Sequence, residues 1–368
     1  MIAWFKDYSG KYRIVSLAVN EETKKDLINE AVDFICVENS SVKLYPEDLI
    51  LSVDSNIIGK LNCYHNYDVF ELEENGKLLE CYDDTSNDNY FFVTGKCNSN
   101  CIMCPSPDVM RQQPNGRSID NLIEIARHIP EDISHLTITG GEPFMVGSDI
   151  FRFFQFLKDK FENTEFLLLT NGRIFAVNSY VSNFISTKPN NCIVAIPIHG
   201  STKQIHDKIT QTVNSFEQTV EGIRNLLRNK VRVELRIVVS KLNIDDIDNI
   251  ALLIVKEFPS IEYVSIMAME MTGSARVNKD AVWIPYVEAA KSVKKAVYTL
   301  ANNGIDVKLY NFPLCSVSKE LWPLCKKSIS PNKVRYSEEC FKCKMLSSCG
   351  GVFAGTISME KGELRAFI

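Results

Sequence analysis

From Tyr90 onward, short runs of almost uninterrupted apolar residues alternate with stretches whose apolar positions recur every three or four residues. The first kind predicts strands covered on both faces, as parallel sheets require; the second predicts helices lying against such a sheet. On this pattern strands are expected at 90–94, 135–139, 165–170, 192–198, 231–239 and 262–266, and helices at 118–129, 148–161 and 215–229. The last of these opens with Ser215-Phe216-Glu217-Gln218, which reads as a capping box. A long helix over 283–303 and a short strand over 305–310 follow. Six βα units in this order predict an α/β fold, either an open partial barrel of the TIM type or a doubly wound sheet.

Residues 1–87 read differently, as mixed short strands with a helix over 21–34. The turn Glu74-Asn75-Gly76-Lys77, between Val69-Phe70-Glu71-Leu72 and Leu78-Leu79-Glu80, predicts a hairpin. A polar stretch over 83–89 reads as a linker. The expected organisation is an α+β accessory domain at 1–87, a partial (β/α)6 barrel at 88–304 and a small Cys-bearing extension at 305–368. The accessory domain is expected either to bind a peptide leader or to serve as an inert lid.

Composition narrows the picture. The chain has 368 residues, 45% hydrophobic and 24% charged, which suits a globular protein of two or three domains. No apolar run approaches the ~20 residues of a spanning helix, and Met1-Ile2-Ala3-Trp4-Phe5-Lys6-Asp7 lacks the basic and apolar regions of a signal peptide. A cytoplasmic location without a membrane partner is expected. The net charge of −5 offers no basic field for nucleic acid. In a chain of this kind, twelve cysteines that cluster point to metal ligation rather than disulfides.

Three of them, Cys97, Cys101 and Cys104, follow the first barrel strand with the spacing CxxxCxxC. A four-iron cube takes four cysteine ligands; a trio leaves one iron open to a substrate or cofactor. A structural zinc site is the bland alternative, and it lacks its fourth ligand. About forty residues on, the apolar run Leu136-Thr137-Ile138-Thr139 ends in Gly140-Gly141-Glu142-Pro143. The two motifs, in this order after strands, resemble the radical S-adenosylmethionine (SAM) superfamily. The resemblance implies a [4Fe-4S] cluster held by the three cysteines and chelated by SAM. Glu142 is then expected to face the SAM ammonium, with Gly140 and Gly141 permitting close backbone approach and Pro143 fixing the turn. Thr170 and Asn171, in Leu169-Thr170-Asn171-Gly172, are expected to line the SAM pocket. In Pro197-Ile198-His199-Gly200 the chain departs from the Ser-x-Asp-Gly of many relatives, so His199 becomes a candidate substrate contact or proton-transfer group, against the alternative of a histidine bonded to backbone. Arg236 is a candidate partner for the SAM carboxylate. Met267–Met271 and Gly273 are candidates for an adenine floor, against ordinary packing.

Near the end, Cys340-x-x-Cys343-x5-Cys349-Gly350-Gly351 resembles the core of the SPASM/Twitch extensions of radical SAM peptide maturases, without the further cysteine of full SPASM domains. From Tyr90 onward the chain resembles the C component of the His-Xaa-Ser maturation system, through segments such as Pro197-Ile198-His199-Gly200, Ala281-Val282-Trp283-Ile284, Pro313-Leu314-Cys315 and Leu321-Trp322-Pro323. Cys315 belongs to that shared pattern and Cys325 does not. The resemblance implies an auxiliary [4Fe-4S] cluster on Cys315, Cys340, Cys343 and Cys349. It also implies reductive cleavage of SAM to a 5′-deoxyadenosyl radical, a peptide or small-protein substrate of His-Xaa-Ser type, an oxidative net reaction, and an electron donor of flavodoxin or ferredoxin type. The rivals are a radical SAM enzyme acting on a small molecule or nucleotide, and a non-catalytic iron–sulfur carrier or zinc-stabilised binding protein. A carrier has no need of Gly140–Pro143 beside an open trio.

Overall fold

The structure, a computed structural model, describes residues 3–38, 41–53, 55–112, 116–360 and 362–368. The first seven strands are β1 (Ala3–Trp4), β2 (Arg13–Ala18), β3 (Phe34–Glu38), β4 (Ser41–Tyr45), β5 (Leu49–Leu51), β6 (Val69–Leu72) and β7 (Lys77–Tyr82), joined in the order β1-β7-β6-β2-β3-β4-β5. Only β2 and β3 run parallel, because a helix crosses between them; the other pairs are antiparallel. That helix spans Glu21–Asn29 and ends short of the expected 34, since Phe34 is drawn into β3 and buried. Asn20 starts it by accepting the Thr23 amide at 2.8 Å. The hairpin at Glu74–Lys77 forms as its turn chemistry predicts, with Gly76 at φ +81°.

The second sheet is parallel throughout and contains β8 (Tyr90–Phe92), β9 (His135–Thr139), β10 (Glu165–Leu169), β11 (Asn191–Pro197), β12 (Arg232–Val238), β13 (Tyr263–Met267), β14 (Val307–Tyr310) and β15 (Cys325–Lys326), ordered consecutively from β15 to β8. The six expected strands are β8 to β13, and the sheet goes on through β14 to β15. It forms the curled half-barrel of an α/β fold. Alternate side chains such as Leu136, Ile138, Phe166, Leu168, Val194, Ile196, Val233 and Leu235 enter one core with the surrounding helices. The intervening positions, among them His135, Glu234, Arg236 and Ser265, therefore face the concave side. The last two strands, β16 (Val334–Arg335) and β17 (Val352–Phe353), form a separate antiparallel pair.

The helices at Ile119–His128, Ile150–Lys160 and Ser215–Arg228 match the expected spans within a few residues. The long helix occupies Tyr286–Asn302. The capping box at Ser215 does not form. Asp207, on the preceding helix, instead accepts the amides of Asn214 at 2.7 Å and Phe216 at 2.8 Å, and the Ser215 hydroxyl at 2.7 Å. A carboxylate already fixed at the helix start outcompetes the local serine.

The seven-stranded sheet packs on the flank of the barrel. Ile14, Val69 and Tyr82 share a core with Phe91, Val93 and Leu122, and Ser16 Oγ lies 2.9 Å from Nδ1 of His128. Arg117 donates twice to Glu71, each bond 2.7 Å, and Tyr12 donates to the same carboxylate at 2.6 Å. The polar stretch before β8 is a bonded turn and not a slack tether: Asn89 accepts from the Asp83 amide and donates to the Asp83 and Ser86 carbonyls. Among the described residues no helix is long and apolar enough to cross a membrane.

Burial raises the Glu71 carboxyl, but the bonds from Arg117 and Tyr12 outweigh it and hold the group below its usual range. The stabilisation it gives is thus present above the unfolded carboxylate pKa and is lost as pH falls through the folded one. Arg117→Ala, which leaves that charge mostly buried without its partner, is expected to cost about 3 kcal/mol in urea unfolding at pH 7. The difference from the parent protein should shrink toward pH 3. A loss below about 0.5 kcal/mol would show that the pair does not join the two sheets.

Candidate functional site

The loop after β8 carries Cys97, Cys101 and Cys104, and backbone bonds fix it on several sides. Thr94 O accepts the Gly141 amide at 2.7 Å, and Lys96 O accepts the Glu142 amide at 2.8 Å. The Asn100 and Ile102 amides reach Thr210 O and Ile209 O at 3.1 and 2.9 Å, and Cys104 O accepts the Ser274 amide at 2.9 Å. This closeness needs glycine. A Cβ on Gly140 would stand 2.5 Å from Thr94 O, and one on Gly141 would stand 2.5 Å from Gly95 O and Lys96 O. Gly273, at φ +52°, would place a Cβ 2.3 Å from Pro105 O. The glycines thus admit the cysteine loop's own backbone.

Glu142 joins the second and third strand ends. Its carboxylate, 1% exposed, accepts from the Thr170 hydroxyl at 2.8 and 3.0 Å, the Asn171 amide at 2.8 Å and the Phe144 amide at 3.3 Å. Burial raises its pKa against these bonds. Pro143 starts a tight turn, and Phe144 beyond it stacks edge-on against Phe175 with centroids 5.0 Å apart, seating both motif segments in the helix-layer core. Asn171 donates to Asn98 Oδ1 at 2.6 Å, so Thr170 and Asn171 meet the cysteine loop and Glu142 in one network.

Burial pushes the Cys101 thiol up to about 12, with Cys104 and Cys97 adding to it; Cys97 is also raised, chiefly by burial. Such thiols hold their protons until a cation displaces them. Among the described residues the only three His, Cys, Asp or Glu ligand atoms within 4.8 Å of one another belong to His65, Asp68 and Asp83. The trio is therefore spread wider than a single zinc shell, where Zn–S bonds of about 2.3 Å bring sulfurs within roughly 4 Å. Wider spacing suits a cube that takes each sulfur on a different iron. Ser99 N donates to Cys97 Sγ at 3.4 Å, and a cavity of about 450 Å³ opens beside Cys97, lined also by Asn98, Arg111 and Thr212. None of its lining residues comes from the seven-stranded sheet.

His199 lies just beyond β11, in register with concave-facing Ala195 and Pro197. It is buried: its amide donates to His206 Nδ1 at 3.2 Å, and its own Nδ1 has no partner among the described residues. Burial, then the neighbouring His206, lowers its pKa to about 3, so the ring is neutral near pH 7. Arg236 is on the concave face but engaged, donating to Glu234 at 2.8 and 3.3 Å. Met269 and Met271 pack with Met103 of the cysteine loop, the role of ordinary packing.

Cys315, Cys340, Cys343 and Cys349 line one tight cavity of about 20 Å³, closed by Leu314, Val352, Leu364 and Phe367. Amides surround the sulfurs: Leu314 N and Gly351 N donate to Cys349 at 3.5 and 3.4 Å, and Met345 N and Phe367 N donate to Cys343, each at 3.4 Å. Four sulfurs with amide donors fit a cluster's thiolates. Cys325 does not line this cavity, because it is paired with Leu309 as part of β15 and its thiol donates to Leu321 O.

Two arginines escaped the sequence reading. Arg173 clamps the cysteine loop from the third strand end, donating to Asn98 O at 2.6 Å, Ser99 Oγ at 3.1 Å and Gln218 Oε1 at 2.7 Å. Arg111 lines the cavity beside Cys97. Arg173 had one available signal, its position directly after Thr170-Asn171-Gly172. Arg111 had none.

Residues 91–254 match the model of the radical SAM superfamily. The chain is 33% identical over 177 residues to the cysteine-type anaerobic sulfatase-maturating enzyme of Clostridium novyi (strain NT), covering 43% of this chain and 45% of that one. It is 30% identical over 103 residues to GTP 3',8-cyclase of Desulforamulus reducens, covering 27% and 31%. The chain thus spans less than half the length of these curated relatives. Among solved structures it is similar to Streptococcus suis SuiB, with TM-score 0.49 and 11% identity over 87% of this chain and 66% of that one. It is also similar to anSMEcpe with bound AdoMet, with TM-score 0.48 and 15% identity over 60% of each chain.

Burial depresses the pKa of His199 to about 3 and of His206 to about 4. Their neutral burial favours the fold above the unfolded value near 6.5, and this advantage is lost as pH falls below it, at up to about 1.4 kcal/mol per pH unit for each ring. His199→Gln should therefore flatten the decline of unfolding free energy between pH 6 and 5. An unchanged slope would mean that His199 is protonated in the fold.

Proposed function

We propose that this chain, which carries a radical SAM region at residues 91–254, is an enzyme that reductively cleaves SAM and oxidatively modifies a ribosomally made peptide or small protein of His-Xaa-Ser type. The observation that carries the reading is the cysteine trio, spread wider than one ion's shell and tied by backbone bonds to the Gly140–Pro143 turn at the mouth of a half-barrel. Bound there, a reduced four-iron cluster and SAM supply a hydrogen-abstracting radical.

In this reading Cys97, Cys101 and Cys104 hold that cluster. Gly140, Gly141, Glu142, Pro143, Thr170 and Asn171 shape the adjoining SAM pocket, with Glu142 acting by fixing the strand ends. Arg236 offers the SAM carboxylate a guanidinium already oriented by Glu234. Neutral His199 is suited to accept or donate one hydrogen bond to substrate and not to carry charge. Cys315, Cys340, Cys343 and Cys349 hold an auxiliary cluster able to take an electron from oxidised substrate. Residues 1–87 form an accessory domain, 88–304 the barrel and 305–368 the extension. A protein substrate is favoured by the sulfatase-maturating relative. The GTP 3',8-cyclase relative favours a nucleotide instead, over a shorter stretch.

Anaerobic reconstitution with iron and sulfide, then SAM and dithionite, tests the reading. About eight irons per chain are expected, falling to about four in Cys340→Ala. Cys97→Ala should abolish 5′-deoxyadenosine formation. A parent protein that forms no 5′-deoxyadenosine, with or without peptide or GTP, would leave an iron–sulfur binding protein. Turnover of GTP but not of His-Xaa-Ser peptides would favour the nucleotide reading.

A further inference from the structure

Among the described residues, the guanidinium of Arg111 is the positive group beside the cysteine trio with a buried donor left unused. Its side chain is 7% exposed, and Nη1 is buried without a hydrogen-bond partner among those residues. Nη2 donates to Ser274 Oγ at 2.9 Å, and Asp108 pairs with it from the solvent side, its own side chain 65% exposed. Ser274 is the residue whose amide bonds Cys104 O, so arginine and ligand loop share one support. Arg111 and Cys97 line the same cavity. The other guanidinium at this loop, Arg173, has its donors on Asn98, Ser99 and Gln218.

A buried cationic donor without an acceptor is costly, and it is relieved by an anion. A cube on three thiolates is anionic, and gains further negative charge when it accepts an electron. We propose that Arg111 is a positioning residue that raises the reduction potential of the cluster on Cys97, Cys101 and Cys104, by setting a fixed positive charge and a free N–H donor in the cavity beside it. This rests on the reading of the site given above. The electron comes from a one-electron donor, dithionite in the test, which is oxidised as the cluster is reduced. The added charge strengthens both the N–H···S bond and the Coulomb attraction, so the reduced form gains more than the oxidised one.

The test is a dithionite-poised redox titration of the anaerobically reconstituted full chain. It is followed by electron paramagnetic resonance on the signal that SAM addition perturbs, with SAM affinity measured alongside. In Arg111→Gln the ratio of reduced to oxidised cluster at a fixed potential should fall about tenfold, a downward shift of about 59 mV for a one-electron couple. Arg111→Lys should recover most of it. Asp108→Asn, which removes an exposed counter-charge and keeps an acceptor oxygen for Ser274 Oγ, should shift the midpoint the opposite way, keeping the test decisive if the glutamine variant does not fold. Unmoved midpoints in a protein with normal iron and normal 5′-deoxyadenosine overturn this inference and spare the reading of the site. A tenfold weaker SAM affinity with an unmoved midpoint also overturns it, assigning Arg111 to the SAM carboxylate. A parent protein that takes up no iron at the first site overturns both.

Discussion

A loop that must present three thiols at fixed separations has to be tied down by the polypeptide before any metal arrives, because a slack loop would have to be ordered at the expense of the binding energy. Here the tie is the pairing of the cysteine loop's backbone with the Gly140-Gly141-Glu142 turn. The Gly141 and Glu142 amides bond Thr94 O and Lys96 O, and the absent Cβ atoms leave room for contacts that any side chain would block. The buried Glu142 carboxylate then fastens that turn to Thr170 and Asn171. Three strand ends of a parallel sheet become one rigid rim, and the chemistry proposed for the site depends on that rim.

What holds the rim is apolar packing below and polar bonding above. Phe144 and Phe175 each follow a motif segment closely and meet in the helix layer, so the aromatic contact sets the depth of both turns. Above them Asn171 and Arg173 reach over to Asn98 and Ser99. The accessory sheet, held by Glu71 and Arg117 to the flank of the barrel, contributes nothing to the cavity beside Cys97.

The strands at 90–94, 135–139, 165–170, 192–198, 231–239 and 262–266 were legible because alternate residues of each enter the core and most of the intervening ones are at least partly buried, which leaves few exposed polar positions in each run. The cysteine trio and the glycine turn were legible because their geometry is local. Arg111 and Arg173 were not: the first acts through Ser274, 163 residues away, and the second through Asn98, 75 residues away. No periodicity encodes such pairings. The capping box at Ser215 failed for a related reason, since Asp207 from another helix supplies the cap that the local motif offered. Cys325, which lies outside the shared pattern, is paired with Leu309 in β15 and does not line the cavity of the other four.

The two cysteine sites differ in the way their supposed chemistry requires. The C-terminal set supplies four sulfurs, each in a cavity closed by apolar side chains, with Phe367 both donating its amide to Cys343 and stacking on Trp322 at 5.1 Å. A cluster held there, as proposed, would have no position for substrate, amide donors would lower the cost of its charge, and it would be suited to exchanging electrons. The trio at the barrel mouth has fewer sulfurs, a roomy cavity at its side and a guanidinium donor not yet engaged. On the proposed reading, incomplete ligation would leave one iron available to a chelating cofactor, while the glycine-tight backbone holds the loop that carries the three sulfurs. Openness at one site and closure at the other thus follow from how many thiols each loop carries and from what packs against them.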